Sequence, residues 1–293
     1  AYRCRYLSKT GYSIAGFTRG ANYMTKYKTY FSFFRIRFNM GLQYRVAAVS
    51  GAVTQLLWGL MECLAFMAFQ RSAPEAYPMA VSATVSYVWL REAFFSAFTT
   101  WNADQDIFDS IVNGGIAYEL CRPVSIYHMW FAKTTASRVA GAGLRCIPLL
   151  LVASILPRPF RLSLPASPLC FILFVITLLL GLGVTVAFCM FTYILAFFTI
   201  SPQGLRMLLT SMIDFLSGAI IPLPFMPDAV RRVVELLPFA GMFNVPLLIY
   251  SGELTGEAMY RGIGLQCFWL VTLVILGRIL CQVAERRIVV QGG

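Results

Sequence analysis

Thirty consecutive residues, from Leu169 to Phe198, contain no charged side chain. A transmembrane helix needs about 20 predominantly apolar residues to cross the hydrocarbon core of a bilayer. A run of thirty is long enough to cross with some tilt. We therefore predict that this stretch is a membrane-spanning helix.

The rest of the chain has the same character. Hydrophobic residues make up 58% of the 293 residues and charged residues 13%, whereas soluble domains have about 45–50% apolar and about 25% charged residues. The mean hydropathy is +0.70. We predict an all-α polytopic membrane protein with one membrane domain, and the length allows roughly six spans.

The apolar runs predict where these six transmembrane helices lie. They are separated by prolines, glycines and charged residues, and they cover Val46–Phe69, Pro78–Trp101, Val139–Leu156, Leu169–Phe198, Leu205–Ile221 and Gly262–Ala284. We assign residues 46–293 to this six-span membrane domain, because no soluble domain interrupts it.

The residues before the first span are predicted to divide into two parts. Residues 24–45 interleave aromatic and basic side chains, with Phe31, Phe34 and Phe38 at helical spacing, which is typical of an amphipathic helix in the membrane interface. Residues 1–23 lack the apolar region of a secretory signal and are expected to be a poorly ordered or appended leader.

The distribution of Lys and Arg predicts the orientation. The net charge of +11 would suggest nucleic-acid binding in a soluble protein, but beside membrane spans basic residues contact headgroups and orient the chain. With the amino terminus inside, 16 Lys and Arg lie on the cytoplasmic side and 6 lie outside. We expect a multi-pass protein of a bacterial cytoplasmic membrane, with both termini cytoplasmic and no nucleic-acid partner.

The segment Ser201–Glu253 is apolar but repeatedly broken. It contains Asp214, a small-residue break at Ser217 and Gly218, and the prolines 222, 224, 227 and 238. Freed backbone groups at membrane depth must be satisfied by protein or water. We predict a membrane helix that ends in a partly re-entrant cap on the outer side.

Four ionisable residues fall inside the predicted spans, where they are costly and are treated as functional candidates. They are Glu62, Arg91, Glu92 and Asp214. Glu62 and Arg91 lie near the middle of antiparallel neighbours, so we predict an ion pair between them, with a proton or substrate relay as the alternative. If the two residues form an ion pair, exchanging them should restore the expression or activity that either single substitution loses.

The polar segment Asn102–Pro123 separates the second span from the third. Asp104, Asp106 and Asp109 lie at the start of a short amphipathic helix, where they suit the helix dipole, and Gly114 and Gly115 break it. Three interpretations are open: a metal–nucleotide site of the Asp-x-Asp kind, a solvated loop, and a cytoplasmic helix that binds a partner protein. The last is favoured, because no soluble domain is present to hold a nucleotide.

The sequence lacks the common signatures of an enzyme. It has no phosphate-binding loop of the GxxxxGK[ST] type, no HExxH and no GxSxG, and His128 is its only histidine. Its eight cysteines form no CxxC pair. We therefore expect no catalytic residue, no metal site and no cofactor on this chain.

Two motifs and their placement resemble a known family. The motifs are IVNGGIAYELCRPVS (Ile111–Ser125) and FLSGAIIPLPFMPDAVRRVVELLPF (Phe215–Phe239), and the terminal RRIVVQGG (Arg286–Gly293) adds to them. Together with the interfacial helix and the broken outer cap, they resemble the permease subunits of ABC-2-type ABC transporters, which are exporters. The resemblance covers Met24–Gly293.

The resemblance implies a partnership with ATPase subunits. Two separate ABC ATPases, which carry ATP and Mg, would dock from the cytoplasm on a coupling helix around Asp106–Leu120. The implied coupling residues are Asp106, Asp109, Ile111, Gly115, Glu119 and Arg122.

The resemblance also implies a pathway between two permease subunits, alike or related. Spans one, two and five would line it and the Phe225–Phe239 cap would close its outer end. The implied pathway and gate residues are Gln55, Glu62, Arg91, Asp214, Ser217, Gly218, Pro222, Phe225 and Pro227.

Two other functions are left open by the residues. One is a membrane assembly or immunity factor without transport, and the other is a lipid-modifying membrane enzyme. The substrate of a permease would be amphipathic, and a drug, a lipid and a peptide fit equally well.

Overall fold

The structure is a computed structural model that describes residues 23–101, 104–199 and 202–287. The predicted leader, apart from Tyr23, and residues 288–293 of the terminal motif lie outside the described residues. Within the described ranges the chain is helical, without a strand. In chain order the helices are α1 (Tyr23–Gln43), α2 (Arg45–Ser72), α3 (Val81–Phe98), α4 (Gln105–Val112), α5 (Ile116–Leu120), α6 (Ile126–Ile155), α7 (Pro168–Ala196), α8 (Pro202–Leu216), α9 (Asp228–Val234), α10 (Asn244–Ser251) and α11 (Gly256–Arg287).

Four of these helices are long and apolar enough to cross a membrane. Among the described residues they are α2, α6, α7 and α11, which correspond to the first, third, fourth and sixth predicted spans. Their outward faces carry large apolar side chains that water would not solvate favourably, such as Val53, Leu57 and Met61 on α2. The fold is therefore that of a multi-pass membrane protein.

The second and fifth predicted spans are helical but shorter than the sequence suggests. Pro78–Trp101 was predicted and α3 has 18 residues; Leu205–Ile221 was predicted and α8 ends at Leu216. α8 ends early because the chain turns at Gly218, whose φ of +83° interrupts the helix.

Two other boundaries differ from the prediction. α6 begins at Ile126, thirteen residues before the predicted start at Val139, because Met129 and Trp130 are buried in the core beyond the apolar window. At about 1.5 Å per residue its 30 residues extend about 45 Å, well beyond a bilayer core of about 30 Å. α11 begins at Gly256, six residues before the predicted Gly262.

The predicted interfacial segment forms a helix, α1. It packs along α6 and joins α2 through the single residue Tyr44. The rings of Phe31, Phe34 and Phe38 follow one another along one face, with centroids 6.3 and 5.9 Å apart. The helical spacing of these three rings is confirmed.

α3 lies at the centre of the bundle and packs against α2, α6 and α10. The rings of Tyr87 and Trp89 are fully buried. Gly59 of α2 allows the close approach, because a Cβ there would lie 2.7 Å from the indole of Trp89. α3 therefore positions side chains inside the protein rather than facing lipid.

The segment after α8 returns into the bundle. It forms a 3-10 turn, Leu223–Phe225, then α9 and then α10, which packs on α7 and α3. Residues 244–250 of α10 are all buried. The sequence predicted a cap in this segment, but it did not indicate the buried helix α10.

Candidate functional site

The buried cation of α3 connects three parts of the fold. Arg91 is 2% exposed, and its Nη2 donates to Glu62 of α2 and to the adjacent Glu92. Its Nη1 donates to the carbonyl oxygen of Ala219, 2.7 Å away in the break after α8. The predicted Glu62–Arg91 ion pair is confirmed, and the contributions of Glu92 and Ala219 are additional.

The break after α8 is held by side chains of the core. Gly218 has a left-handed backbone, and its carbonyl oxygen accepts a hydrogen bond from the hydroxyl of Tyr87 at 3.0 Å. A Cβ at this position would lie 2.6 Å from the same hydroxyl. The amide of Leu223 donates to the side-chain oxygen of Asn244. Three backbone groups that the broken helix frees, at Gly218, Ala219 and Leu223, are thus satisfied by protein side chains.

A cavity of about 510 Å³ lies below this break, between α2, α3 and α8. Four residues predicted to line a pathway line it together: Gln55, Glu62, Arg91 and Asp214. Trp58 of α2 also lies on its wall. The cavity thus combines charged, amide and aromatic groups within a bundle of apolar helices.

Two groups in this cavity lack a charged partner among the described residues. Asp214 accepts a hydrogen bond from the indole nitrogen of Trp101 at 2.5 Å and makes no ion pair there. The guanidinium of Arg145 of α6 packs against Gly51 of α2. A Cβ added at Gly51 would lie 2.8 Å from the Cζ of Arg145. Arg145 was given no role by sequence reasoning; its position inside a predicted span was the signal that could have identified it.

The remaining predicted gate residues lie above the cavity rather than on its wall. Ser217 and Gly218 are buried in the break, Pro222 precedes the 3-10 turn, and Pro227 precedes α9. Phe225 packs its ring against Phe66, Phe69 and Tyr77 near the far end of α2, with the closest centroids 4.9 Å apart. This aromatic cluster fixes the cap to α2.

At the opposite end of the bundle, α4 and α5 form a hairpin (residues 105–120) that is attached to α1. Arg37 donates to both carboxylate oxygens of Asp104, at 2.8 and 2.9 Å, and to Asp106 at 3.0 Å. The Asp104 carboxylate caps α4 by accepting from the amide of Asp106. Burial raises the pKa of Asp104 above its usual value, and the Arg37 guanidinium opposes this shift.

The predicted coupling residues separate into two groups. Asp106, Asp109 and Arg122 are exposed, and Ile111 and Gly115 are half-buried. Glu119 is instead folded back onto α6, where it accepts from the indole nitrogen of Trp130 at 2.7 Å and from Lys133 at 3.2 Å. Its spacing in the sequence did not indicate this inward orientation.

The exposed tip of the hairpin contains two apolar residues that sequence reasoning missed. Val112 is 63% exposed and Tyr118 is 81% exposed. They flank Gly114, whose φ of +72° makes the turn between α4 and α5. Exposed apolar side chains at such a tip are typical of a binding surface.

We predict that α4 depends on its contact with α1. Eight residues are too few for a stable isolated helix, and Arg37 supplies charge-assisted hydrogen bonds worth about 1.5–3 kcal/mol. Arg37→Gln is therefore expected to speed amide hydrogen exchange in residues 105–112 about tenfold or more. The matched control is Arg35→Gln, at an exposed arginine of the same helix. Equal exchange in the two variants would contradict the prediction.

The fold and the cavity define a multi-pass helical membrane protein with charged groups inside its bundle. A sequence model of one family, described as an ABC-2 family transporter protein, matches residues 76–292, about three quarters of the chain. The chain belongs to the ABC-2 transporter family. This membership supports a membrane permease component of the ABC transporter class. A comparison with individual curated proteins found no match.

Proposed function

We propose that this chain is the membrane-spanning permease subunit of an ATP-driven ABC exporter, which forms half of the translocation pathway and couples to a separate ATPase subunit. One observation carries the proposal. This chain belongs to the ABC-2 family, and its charged cavity lies between α2, α3 and α8, directly below the break at Gly218 that leads into the cap.

In this proposal six helices cross the membrane. α3 joins the four apolar spans. Its 18 residues extend about 27 Å, and 14 of these 18 residues are buried, so that its polar side chains are shielded from lipid. α8 enters the membrane from the side on which α4 lies, and the buried break after α8 completes this crossing. The return of the cap into the bundle supports a re-entrant outer segment.

The orientation places the α4–α5 hairpin in the cytoplasm. α1 contacts α4, and Arg278 near the end of α11 contacts His128 near the start of α6, so these parts lie at one end of the bundle. Among the described residues, most of the Lys and Arg lie toward this end, which the positive-inside rule assigns to the cytoplasm. Both termini would then be cytoplasmic.

The hairpin is the proposed docking site for the ATPase, which would carry ATP and Mg. Val112 and Tyr118 at its tip would enter the ATPase surface, with Asp106 and Asp109 at the rim. Glu119 serves a different purpose, since its bonds to Trp130 and Lys133 hold α5 on α6.

A direct connection leads from this hairpin to the cavity. Arg206 at the start of α8 donates to the side chain of Gln105 at 2.9 Å and to the carbonyl oxygen of Trp101 at 3.0 Å. Trp101 in turn donates to Asp214 on the cavity wall. A displacement of the hairpin by ATPase closure would therefore move α8 relative to α3 and change the cavity, as in an equilibrium of alternating states.

A second permease, the same or a related chain, would complete the pathway. α8 exposes Met207, Leu208, Met212 and Phe215 beside the cavity. We propose that this face of α8 and the outward face of α2 contact the second permease, and that the remaining apolar surface contacts lipid.

The ATPase proposal predicts the effect of a charge at the hairpin tip. Val112→Asp is expected to reduce the amount of ATPase that co-purifies with the chain at least about tenfold, since a carboxylate would be desolvated in the interface. Tyr118→Ala should have a similar effect through lost apolar contact. The measurement is affinity purification from native membranes, followed by identification of the ATPase and assay of ATP hydrolysis.

Val233→Asp is the matched control, because Val233 is 60% exposed on α9 at the opposite end. It should leave the complex intact. Absence of any ATPase from the wild-type preparation would contradict the proposed function and favour an assembly factor.

A further inference from the structure

The cavity carries an excess of negative formal charge. Its wall holds three carboxylates, on Glu62, Glu92 and Asp214, and two guanidinium groups, on Arg91 and Arg145. The sum is one negative charge in a site surrounded by apolar helices. Charge in such surroundings is costly unless a counter-charge neutralises it.

The guanidinium of Arg91 is not available to a ligand. Arg91 uses Nη2 for both glutamates and Nη1 for the carbonyl oxygen of Ala219, and it is almost fully buried. Arg145 is restricted by its packing over Gly51, and its Nε is buried without a hydrogen-bond partner. By contrast, the one partner of the Asp214 carboxylate among the described residues is the neutral indole N–H of Trp101.

A second, independent observation indicates that the cavity receives a polar group. Gln55 is 6% exposed, and within the described part of the chain neither its amide nitrogen nor its amide oxygen has a hydrogen-bond partner. Leaving a buried polar group unpaired destabilises a protein. The amide oxygen can accept a hydrogen bond from an ammonium group in the cavity.

Aromatic residues complete the set of groups that recognise a cation. Trp58 of α2 and Phe95 of α3 also line the cavity, and aromatic faces attract cations within about 6 Å of the ring. The volume of about 510 Å³ fits a molecule of drug size, since small-molecule pockets are typically about 300–1,000 Å³.

We propose that this cavity binds an organic monocation with an apolar body, such as a lipophilic amine or phosphonium. Asp214 would attract the charge, the aromatic wall would contact the body, and Gln55 would accept a hydrogen bond from an amine. This assignment rests on the proposed function in so far as it names the substrate class of the exporter.

The test uses two ions of matched size and opposite charge. Tetraphenylphosphonium and tetraphenylborate are titrated against the purified full chain in lipid nanodiscs, and binding to empty nanodiscs is subtracted. We expect saturable binding of the phosphonium, with quenching of tryptophan fluorescence, and affinity for the borate that is weaker by about tenfold or more. Equal or tighter binding of the borate would overturn the proposal.

Three variants localise the binding. Asp214→Asn keeps an acceptor for Trp101 and should weaken phosphonium binding about tenfold, whereas Arg145→Gln should strengthen it. Glu257→Gln, at an exposed carboxylate outside the cavity, should leave it unchanged. An unchanged affinity in Asp214→Asn, together with no gain in Arg145→Gln, would overturn the assignment.

The binding experiment and the ATPase co-purification can fail independently of each other. Phosphonium binding without any ATPase complex would remove the exporter proposal and leave the cation site standing. An ATPase complex that forms while the phosphonium fails to bind would remove only the substrate class.

Discussion

Replacing Arg91 with Gln is expected to lower the melting temperature of the purified protein by about 10 °C. The change leaves the carboxylates of Glu62 and Glu92 without their counter-charge and the carbonyl oxygen of Ala219 without its donor. Removing one partner of a buried ion pair costs about 3–5 kcal/mol, and 1 kcal/mol shifts the melting temperature of a protein of this size by roughly 2–4 °C. Thermal unfolding in one detergent, followed by tryptophan fluorescence, measures the difference.

Two further variants test the reason for this loss. Glu62→Gln should melt closer to the wild type, because the Glu62 side chain is 25% exposed and Arg91 keeps Glu92. The triple variant Glu62→Gln, Arg91→Gln, Glu92→Gln should recover most of the loss, because it removes every buried charge of the group. A triple variant that melts no higher than Arg91→Gln would contradict the explanation.

The structure also revises the expected result of exchanging Glu62 and Arg91. The sequence alone predicts that the exchange restores stability. In the structure a carboxylate at position 91 would lie next to Glu92 and could not donate to Ala219. We therefore expect the exchange to remain as unstable as Arg91→Gln.

Gly218→Ala is expected to lower the melting temperature by about 6 °C. An L-residue with this left-handed backbone costs roughly 1–2 kcal/mol, and the added methyl group would displace the buried hydroxyl of Tyr87 that holds the break. The combined loss is larger than for backbone strain alone, and the same fluorescence measurement detects it.

Gly256→Ala separates the two contributions. Gly256 has a φ of +59° but nothing within 4 Å of an added Cβ, so this variant carries the strain without the collision. Its melting temperature should fall by about half as much or less. Equal losses in the two glycine variants would show that Tyr87 does not hold the break.

The apolar pattern was sufficient to predict most of the helices. Leu169–Phe198 was predicted as a span and α7 covers Pro168–Ala196, because a long uncharged run can satisfy its backbone in lipid only as a helix. The pattern failed at the start of α6, whose first residues are buried by protein rather than by lipid. It also missed α10, because Asn244 and Pro246 interrupt the apolar pattern of this helix, whose residues 244–250 are buried inside the bundle.

The candidate site was predicted in part for a similar reason. Charged residues within apolar runs stand out in a sequence, so Glu62, Arg91 and Asp214 were identified as candidates. Contacts that depend on distant partners could not be predicted. Glu119 is turned inward by Trp130 and Lys133, and Arg145 enters the cavity across Gly51 of another helix.

By itself, the amino-acid sequence determined that this protein is a bundle of membrane helices with a charged pair at depth and a broken segment after Leu216. Only the tertiary structure decided that Arg91 also holds the break through Ala219, 128 residues away, and that a net negative cavity remains beside it. The physical reason is the range of the forces involved. Hydrophobic burial and helix formation depend on local composition, whereas the sum of charges in a cavity depends on which distant side chains the packing brings together.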